Sequence, residues 1–211
     1  MEQITVNRQS SIRIGTDTVV YVDPWEVKDH AADADLIFLT HDHFDHFSAE
    51  DIQRLRKDGT VIVAPNAMLT QVEKVTGGSV FPVEPGREYT VKGISFTTVA
   101  SYNIGKEFHP RETGWCGYVL NLGGKRFYVM GDSDATEEAA AVRCDVLLLP
   151  IGGYYTMDYK EAAELTAQIK PPVVIPTHYG DVVGENSFGE EFAALVQEKA
   201  PGVNVELLLH K

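Results

Sequence analysis

Two runs, LIFLT (36–40) and DVLLLPI (145–151), constrain the fold most, because neither alternates apolar with polar residues. A strand that covers one face of a core alternates with a period of two, whereas a strand covered on both faces reads as a continuous apolar run. Both runs therefore predict strands held between two layers of side chains. Shorter β-branched runs surround them: SIRI (11–14), TVVYV (18–22), TVIVA (60–64), GISFTTVA (93–100), GYVLNL (117–122), RFYVM (126–130), VVIPT (173–177) and VELLL (205–209). GG at 123–124 falls between two of these and predicts a hairpin turn. Apolar residues at helical spacing predict helices over 48–57, 66–75, 158–169 and 188–200, with Ser48 and Asp158 as N-caps. Strand runs with helices in each half predict an α/β fold in which two sheets pack together with helices outside, a four-layer αβ/βα sandwich. The 211 residues, 44% hydrophobic and without a linker-like stretch, are expected to form one domain over 1–211.

Charge excludes one class of partner. The formal net charge is −13, from 18 basic and 31 acidic residues. Nucleic-acid affinity comes largely from basic side chains that neutralise phosphates, so nucleic acid is not an expected partner. RLRK (54–57) is a short basic run read as part of a helix face. The opening residues lack a basic segment followed by an apolar run, and no apolar run approaches the ~20 residues of a membrane span, so neither export nor membrane insertion is expected. Cys116 and Cys144 are the two cysteines, read as small buried thiols in a reducing, cytoplasmic setting.

The chemistry concentrates in LTHDHFDHFS (39–48), which places His41, His43, Asp45 and His46 directly after a strand. In extended backbone, residues two apart point the same way, so His41 and His43 reach one point and Asp42 points away. Asp45 and His46 follow just before the helix capped by Ser48 and reach a second point. Imidazole and carboxylate suit zinc, manganese or iron. Four such groups in six residues predict half of a two-metal site.

THDHFDH (40–46) resembles the T/S-H-x-H-x-D-H signature of the metallo-β-lactamase superfamily of hydrolases. Further positions fit in order: Asp23 in VYVDP, Asp132 in FYVMGDSD and His178 in VVIPTHYG. The resemblance implies that Asp23 supports the metal loop, Asp132 bridges both metals and His178 binds the second. One position departs: the histidine usual near TTVASYN (97–103) is missing, and His109 in KEFHPRETGWCGY is the candidate replacement beside His41 and His43. GDSD, DVLLLPIGGYYTMD and PPVVIPTHYG look like the branch that includes L-ascorbate-6-phosphate lactonase. What this implies is a hydrolase with two divalent ions, zinc first and manganese or iron next, sharing a hydroxide that attacks a small ester, lactone or phosphorylated metabolite. Asp45 and Asp132 are the expected catalytic carboxylates. A nucleic-acid phosphodiesterase and a non-hydrolytic metal-binding or redox protein are the alternatives.

Weaker candidates remain. Tyr154, Tyr155 and Asn103 are expected to face substrate. Asp158 is read either as a substrate contact or as a plain helix cap. Asp134 is read as a support for Asp132 or a surface residue. His30 and His210 are expected to be solvated. The loop VVGENSF (182–188) is expected to gate the cleft or to form an interface; oligomeric state is open.

Overall fold

A computed structural model describes residues 3–15, 17–28, 32–78 and 80–209; His30 and His210 lie outside the described residues. Two sheets face each other. The first runs β1 (Gln3–Val6), β2 (Ile12–Gly15), β3 (Val19–Val22), β4 (Ala34–Phe38), β5 (Arg56–Pro65) and β6 (Val80–Val83), neighbours in that order. The second contains β7 (Glu88–Val91), β8 (Ile94–Ala100), β9 (Cys116–Leu122), β10 (Lys125–Val129), β11 (Val146–Pro150), β12 (Val173–Thr177) and β13 (Asn204–Val205), also in chain order. Helices α1 (Ala49–Leu55) and α2 (Leu69–Thr76) cover the first sheet, and α3 (Glu137–Ala140), α4 (Tyr159–Ile169) and α5 (Phe188–Lys199) cover the second.

The non-alternating runs are explained by this layering. In β4, Leu36 and Phe38 enter the core between the sheets, while Ile37 turns to the helix-side core with Ile52 and Leu55. In β11, Val146 and Leu148 face the other sheet, while Leu147 and Leu149 pack on Ala162 and Leu165 of α4. Burial of an apolar side chain of this size stabilises by roughly 1.5–3 kcal/mol, so both faces hold these strands in the centre. Phe38 crosses between the sheets, with its ring 5.0 Å from both Phe96 of β8 and Tyr118 of β9. The Tyr118 hydroxyl donates to the Leu39 carbonyl at 2.6 Å, which pins the strand end that leads into the histidine loop to the opposite sheet.

Strand direction positions the site. β3 to β6 run parallel, as do β10 to β13. The carboxyl ends of β3, β4, β10 and β12 therefore emerge on one edge of the sandwich, and Asp23, His41, Asp132 and His178 follow them. Ligand sites of open α/β sheets form at such ends, where side chains converge without interrupting the ladder.

Several expectations are corrected. Of VELLL (205–209) only Val205 lies in a strand, Asn204–Val205, and Leu209 makes a single bridge to Val6. RLRK straddles the end of α1 and the start of β5 and does not lie on a helix face. β1, β6, β7 and α3, of four residues each, were not expected. Cys116 is buried, but Cys144 is only half-buried; both are free thiols. Asp158 is a cap: its carboxylate accepts from the Lys160 and Glu161 amides while the Glu161 side chain accepts from the Asp158 amide. Among the described residues no helix is long and apolar enough to cross a membrane.

Candidate metal centre

The loop after β4 is shaped by a turn. The His46 and Phe47 amides donate to the His43 carbonyl at 3.0 and 2.9 Å, so the chain folds back at Phe44. That turn, more than extended backbone, brings Asp45 and His46 to the same edge as His41 and His43. Asp42 is outside the cluster, accepting from Gln71 Nε2 at 2.8 Å.

Three groups of donors result. His41, His43, His109 and Asp132 can each offer an atom within 4.8 Å of the others, and so can Asp45, His46 and His178, and Asp23, His41 and His46. Asp132 sits between the first two groups. Its Oδ2 lies 3.9 Å from His41 Nε2, 3.5 Å from His109 Nε2 and 3.2 Å from His178 Nε2, and its Oδ1 lies 3.4 Å from His46 Nε2. Asp45 Oδ2 is 3.1 Å from His178 Nε2 and 3.7 Å from His46 Nε2. A tetrahedral cation with bonds of about 2.1 Å separates its donors by about 3.4 Å. The spacing is thus that of ligands around small cations.

Hydrogen bonds behind the rings decide which nitrogen faces inward. His41 Nδ1 is 2.9 Å from Thr40 Oγ1, His46 Nδ1 is 2.8 Å from Asp23 Oδ2, and His109 Nδ1 is 2.9 Å from Asn103 Oδ1. The Nε2 atoms of all three are buried and have no hydrogen-bond partner, and neither does Asp132 Oδ1. A buried polar atom without a partner costs about 1–3 kcal/mol, and four of them aimed at one space call for a cation. The residues present therefore fit a metal, with the outer nitrogens fixed as metal-ligating imidazoles require.

Electrostatics agree. Burial holds His41 well below the ordinary histidine range and lowers His109 to about 4, with neighbouring imidazoles adding to both, so these rings are neutral near neutral pH. Burial opposes charge on His46 too, but Asp132 and Asp23 together outweigh it and raise its pKa well above the ordinary value. Burial would push Asp132 up, yet His178, His46 and His41 keep it well below the usual carboxylate range.

Backbone strain marks two of these positions. Asp23 and His178 adopt φ of 47° and 56°, a left-handed conformation that costs a non-glycine residue on the order of 1–2 kcal/mol. Asp23 is held there by the Thr40 amide and hydroxyl at 2.7 and 2.5 Å and by His46. His178 is held by its amide donating to the Gln9 carbonyl at 3.1 Å. A Cβ at Gly152 would come 2.2 Å from the His178 carbonyl, so only glycine allows this approach.

Sequence reasoning missed the residues that support the loop of His109. Asn103, expected to face substrate, instead has its amide engaged by protein: Oδ1 accepts from the His109 amide at 3.0 Å as well as facing Nδ1, and Nδ2 donates to the Tyr155 carbonyl at 2.9 Å. The signal available was an asparagine six residues before an unpaired histidine. Asp134 is buried, accepting from the Ile104 amide at 2.7 Å and pairing with Lys106 at 2.6 Å, which anchors the same loop. Trp115 packs its ring 5.2–5.7 Å from those of His41, His43 and His109.

A pocket of about 240 Å³ opens onto His43, Asp45, Asp132 and His178, and Tyr155 lines it. Tyr154 does not line it; it is 70% exposed and rests on Tyr155 and Phe108. A larger cavity of about 530 Å³, beside Arg8 and Tyr179, contains none of the converging donors and is set aside.

Comparison with known proteins agrees with this geometry. Residues 3–178 match the family model of the beta-lactamase superfamily domain. A UPF0173 metal-dependent hydrolase of Thermoplasma acidophilum is 32% identical over 189 residues, covering 83% of this chain and 82% of that protein. One of Thermus thermophilus is 34% identical over 171 residues, covering 79% and 75%. Among solved structures, a candidate metal-dependent hydrolase from Parabacteroides distasonis superposes with a TM-score of 0.81 at 26% identity, covering 99% of this chain and 94% of that one. Igni18, a metallo hydrolase from Ignicoccus hospitalis, shares the fold with a TM-score of 0.78 at 24% identity, over 98% and 94% of the two chains. Converging histidines and aspartates at the carboxyl ends of parallel strands, the sandwich behind them and these relatives lead to one assignment: the chain belongs to the metallo-β-lactamase superfamily, among the UPF0173 metal-dependent hydrolases.

Proposed function

We propose that this chain hydrolyses a small ester, lactone or phosphorylated metabolite at a two-metal centre. His41, His43 and His109 would hold one divalent cation, Asp45, His46 and His178 the other, and Asp132 would be shared. Bound there, the cations would lower the pKa of water toward neutrality and polarise the group under attack. Zinc suits the imidazole-rich set, and manganese and iron use the same donors.

The chain's own residues supply orientation. Asp23, Thr40 and Asn103 fix three imidazoles with Nε2 inward. Asp45, beside His178, is placed to orient the attacking water. The observation that carries the reading is the set of buried, partnerless Nε2 atoms around Asp132. A pocket of about 240 Å³ and a net charge of −13 favour a small molecule over a nucleic acid. Free thiols at Cys116 and Cys144 favour a reducing, cytoplasmic setting.

Elemental analysis of chelator-free protein tests this. Two metals per chain are expected in the wild type and about one in His109→Ala. Two in both would remove His109 from the ligand set and leave the hydrolase intact. A wild type that takes up no metal on reconstitution would overturn the function.

A further inference from the structure

The mouth above the metal centre carries a second kind of information. The floor of the pocket is the ligand set, but its walls are Phe44, Phe108, Tyr155 and Val182. Phe44 is 66% exposed and Val182 39% exposed, and with Phe108 and Tyr155 they line one pocket, a contiguous apolar surface of the kind that marks a ligand-binding site. The wall residues are positioned by neighbouring rings and by the chain after His178. Phe44 is the tip of the turn in the histidine loop, and its ring meets that of Trp25 edge-on at 5.8 Å. The Phe108 ring meets that of Tyr155 edge-on at 4.7 Å and lies tilted 5.3 Å from that of Tyr154. Val182 comes from the loop after His178, so that loop supplies a wall.

Among the described residues no lysine or arginine lines this pocket. Three cations on segments around the pocket are already paired. Lys106 bonds Asp134 at 2.6 Å and the Thr156 carbonyl at 2.9 Å. Arg8 is bonded to Glu26 and Asp181, and Arg111 pairs with Glu138. A phosphate away from the metals would find no cation in the lining. The volume also sets a size. An apolar cavity of about 150 Å³ accepts a benzene ring, so about 240 Å³ takes one ring together with the bond to be cut.

We infer that the substrate is a neutral carboxylic ester or lactone whose non-reacting part is one small apolar ring or branched alkyl group, seated against Phe44, Phe108, Tyr155 and Val182. This rests on the hydrolase reading above and narrows it, excluding compounds that carry a phosphate away from the bond to be cut. In the reaction, water's oxygen bonds to the acyl carbon, the C–O bond to the leaving alkoxide breaks and the alkoxide takes up a proton. The products are a carboxylic acid with an alcohol, or one hydroxy acid from a lactone.

The test uses the full chain, reconstituted with zinc. Dihydrocoumarin (an aryl lactone), gluconolactone (a polar lactone) and phenyl phosphate are compared by kcat/KM. At least a tenfold preference for dihydrocoumarin is expected. Phe44→Ala and Val182→Ala should each raise its KM by roughly tenfold, the loss falling on KM more than on kcat. A second readout needs no turnover: phenylacetate should change the tryptophan fluorescence saturably, since Trp25 touches Phe44 and Trp115 lies 5.3 Å from His43, and Phe44→Ala should weaken that binding about tenfold. Equal or better turnover of gluconolactone or phenyl phosphate overturns the inference and leaves the hydrolase standing. Phenylacetate binding that is absent, or as strong in Phe44→Ala as in the wild type, overturns it as well. Metal-loaded protein that turns over none of the three, yet binds phenylacetate through Phe44, sinks the hydrolase reading and not the apolar seat.

Discussion

Replacing Asn103 with alanine isolates the part of the site that holds a ligand without being one. The side chain makes three contacts, to the His109 amide at 3.0 Å, to His109 Nδ1 at 2.9 Å and to the Tyr155 carbonyl at 2.9 Å. At about 1 kcal/mol net for each, the folded state should lose about 3 kcal/mol. For a chain of this size that is roughly 6–12 °C in melting temperature. The Asn103 amide still donates to the His109 carbonyl at 2.8 Å, so the loop stays closed and the imidazole alone loses its orientation. Loss of such an outer partner weakens metal binding by about 10–100-fold. Competition with a chromophoric chelator would measure this, beside thermal unfolding of the metal-free protein. Asn103→Asp keeps an acceptor for Nδ1, as Asp23 does for His46, but loses the donor to Tyr155; it should recover metal affinity and not stability. Folded Asn103→Ala protein with affinity within twofold of wild type would refute the reasoning, because His109 would then need no orienting partner.

Other expectations follow from the same geometry. His41→Ala or Asp132→Ala should abolish turnover, since each removes a donor to the proposed cations; full activity in either would contradict the ligand assignment. Gly152→Ala forces a Cβ to within 2.2 Å of the His178 carbonyl, so overpacking of about 1–3 kcal/mol should appear as a lower melting temperature and a lost metal equivalent, both read in one reconstitution series. Metal binding should release protons near neutral pH: His46, raised by Asp132 and Asp23, must give up its proton, whereas His109, lowered to about 4, has none to give. Affinity should therefore rise with pH through neutrality, and calorimetry in buffers of different ionisation enthalpy would show it; binding heats independent of the buffer would refute it.

Much of this was legible in the sequence, for identifiable reasons. LIFLT and DVLLLPI announced doubly covered strands because burial on both faces removes polar residues at every position, not every second one. The Ser48 and Asp158 caps were legible because a cap is a local bond between a side chain and an amide two or three residues on. The strands β1, β6 and β7 were not, because their pairing is set by neighbours in the sheet. THDHFDH was legible as a ligand loop from its density of imidazole and carboxylate.

Asn103 shows where reading the chain stops. An asparagine in a polar loop suits a substrate contact as well as a support, and only the fold turns it onto His109. Phe44 and Val182 are similar: each is one apolar residue in a loop, and they become walls of one pocket only when the turn at 43–47 and the chain after His178 meet. The sequence by itself determined the donor chemistry, the acidic surface and the element types, since these depend on side-chain identity and on contacts a few residues apart. Which donors share a centre, which nitrogen each ring presents and what walls stand above them were decided by the tertiary structure. Parallel strands carry Asp23, His41, Asp132 and His178 to one edge, and that convergence leaves His41 Nε2 and Asp132 Oδ1 buried and in need of a cation.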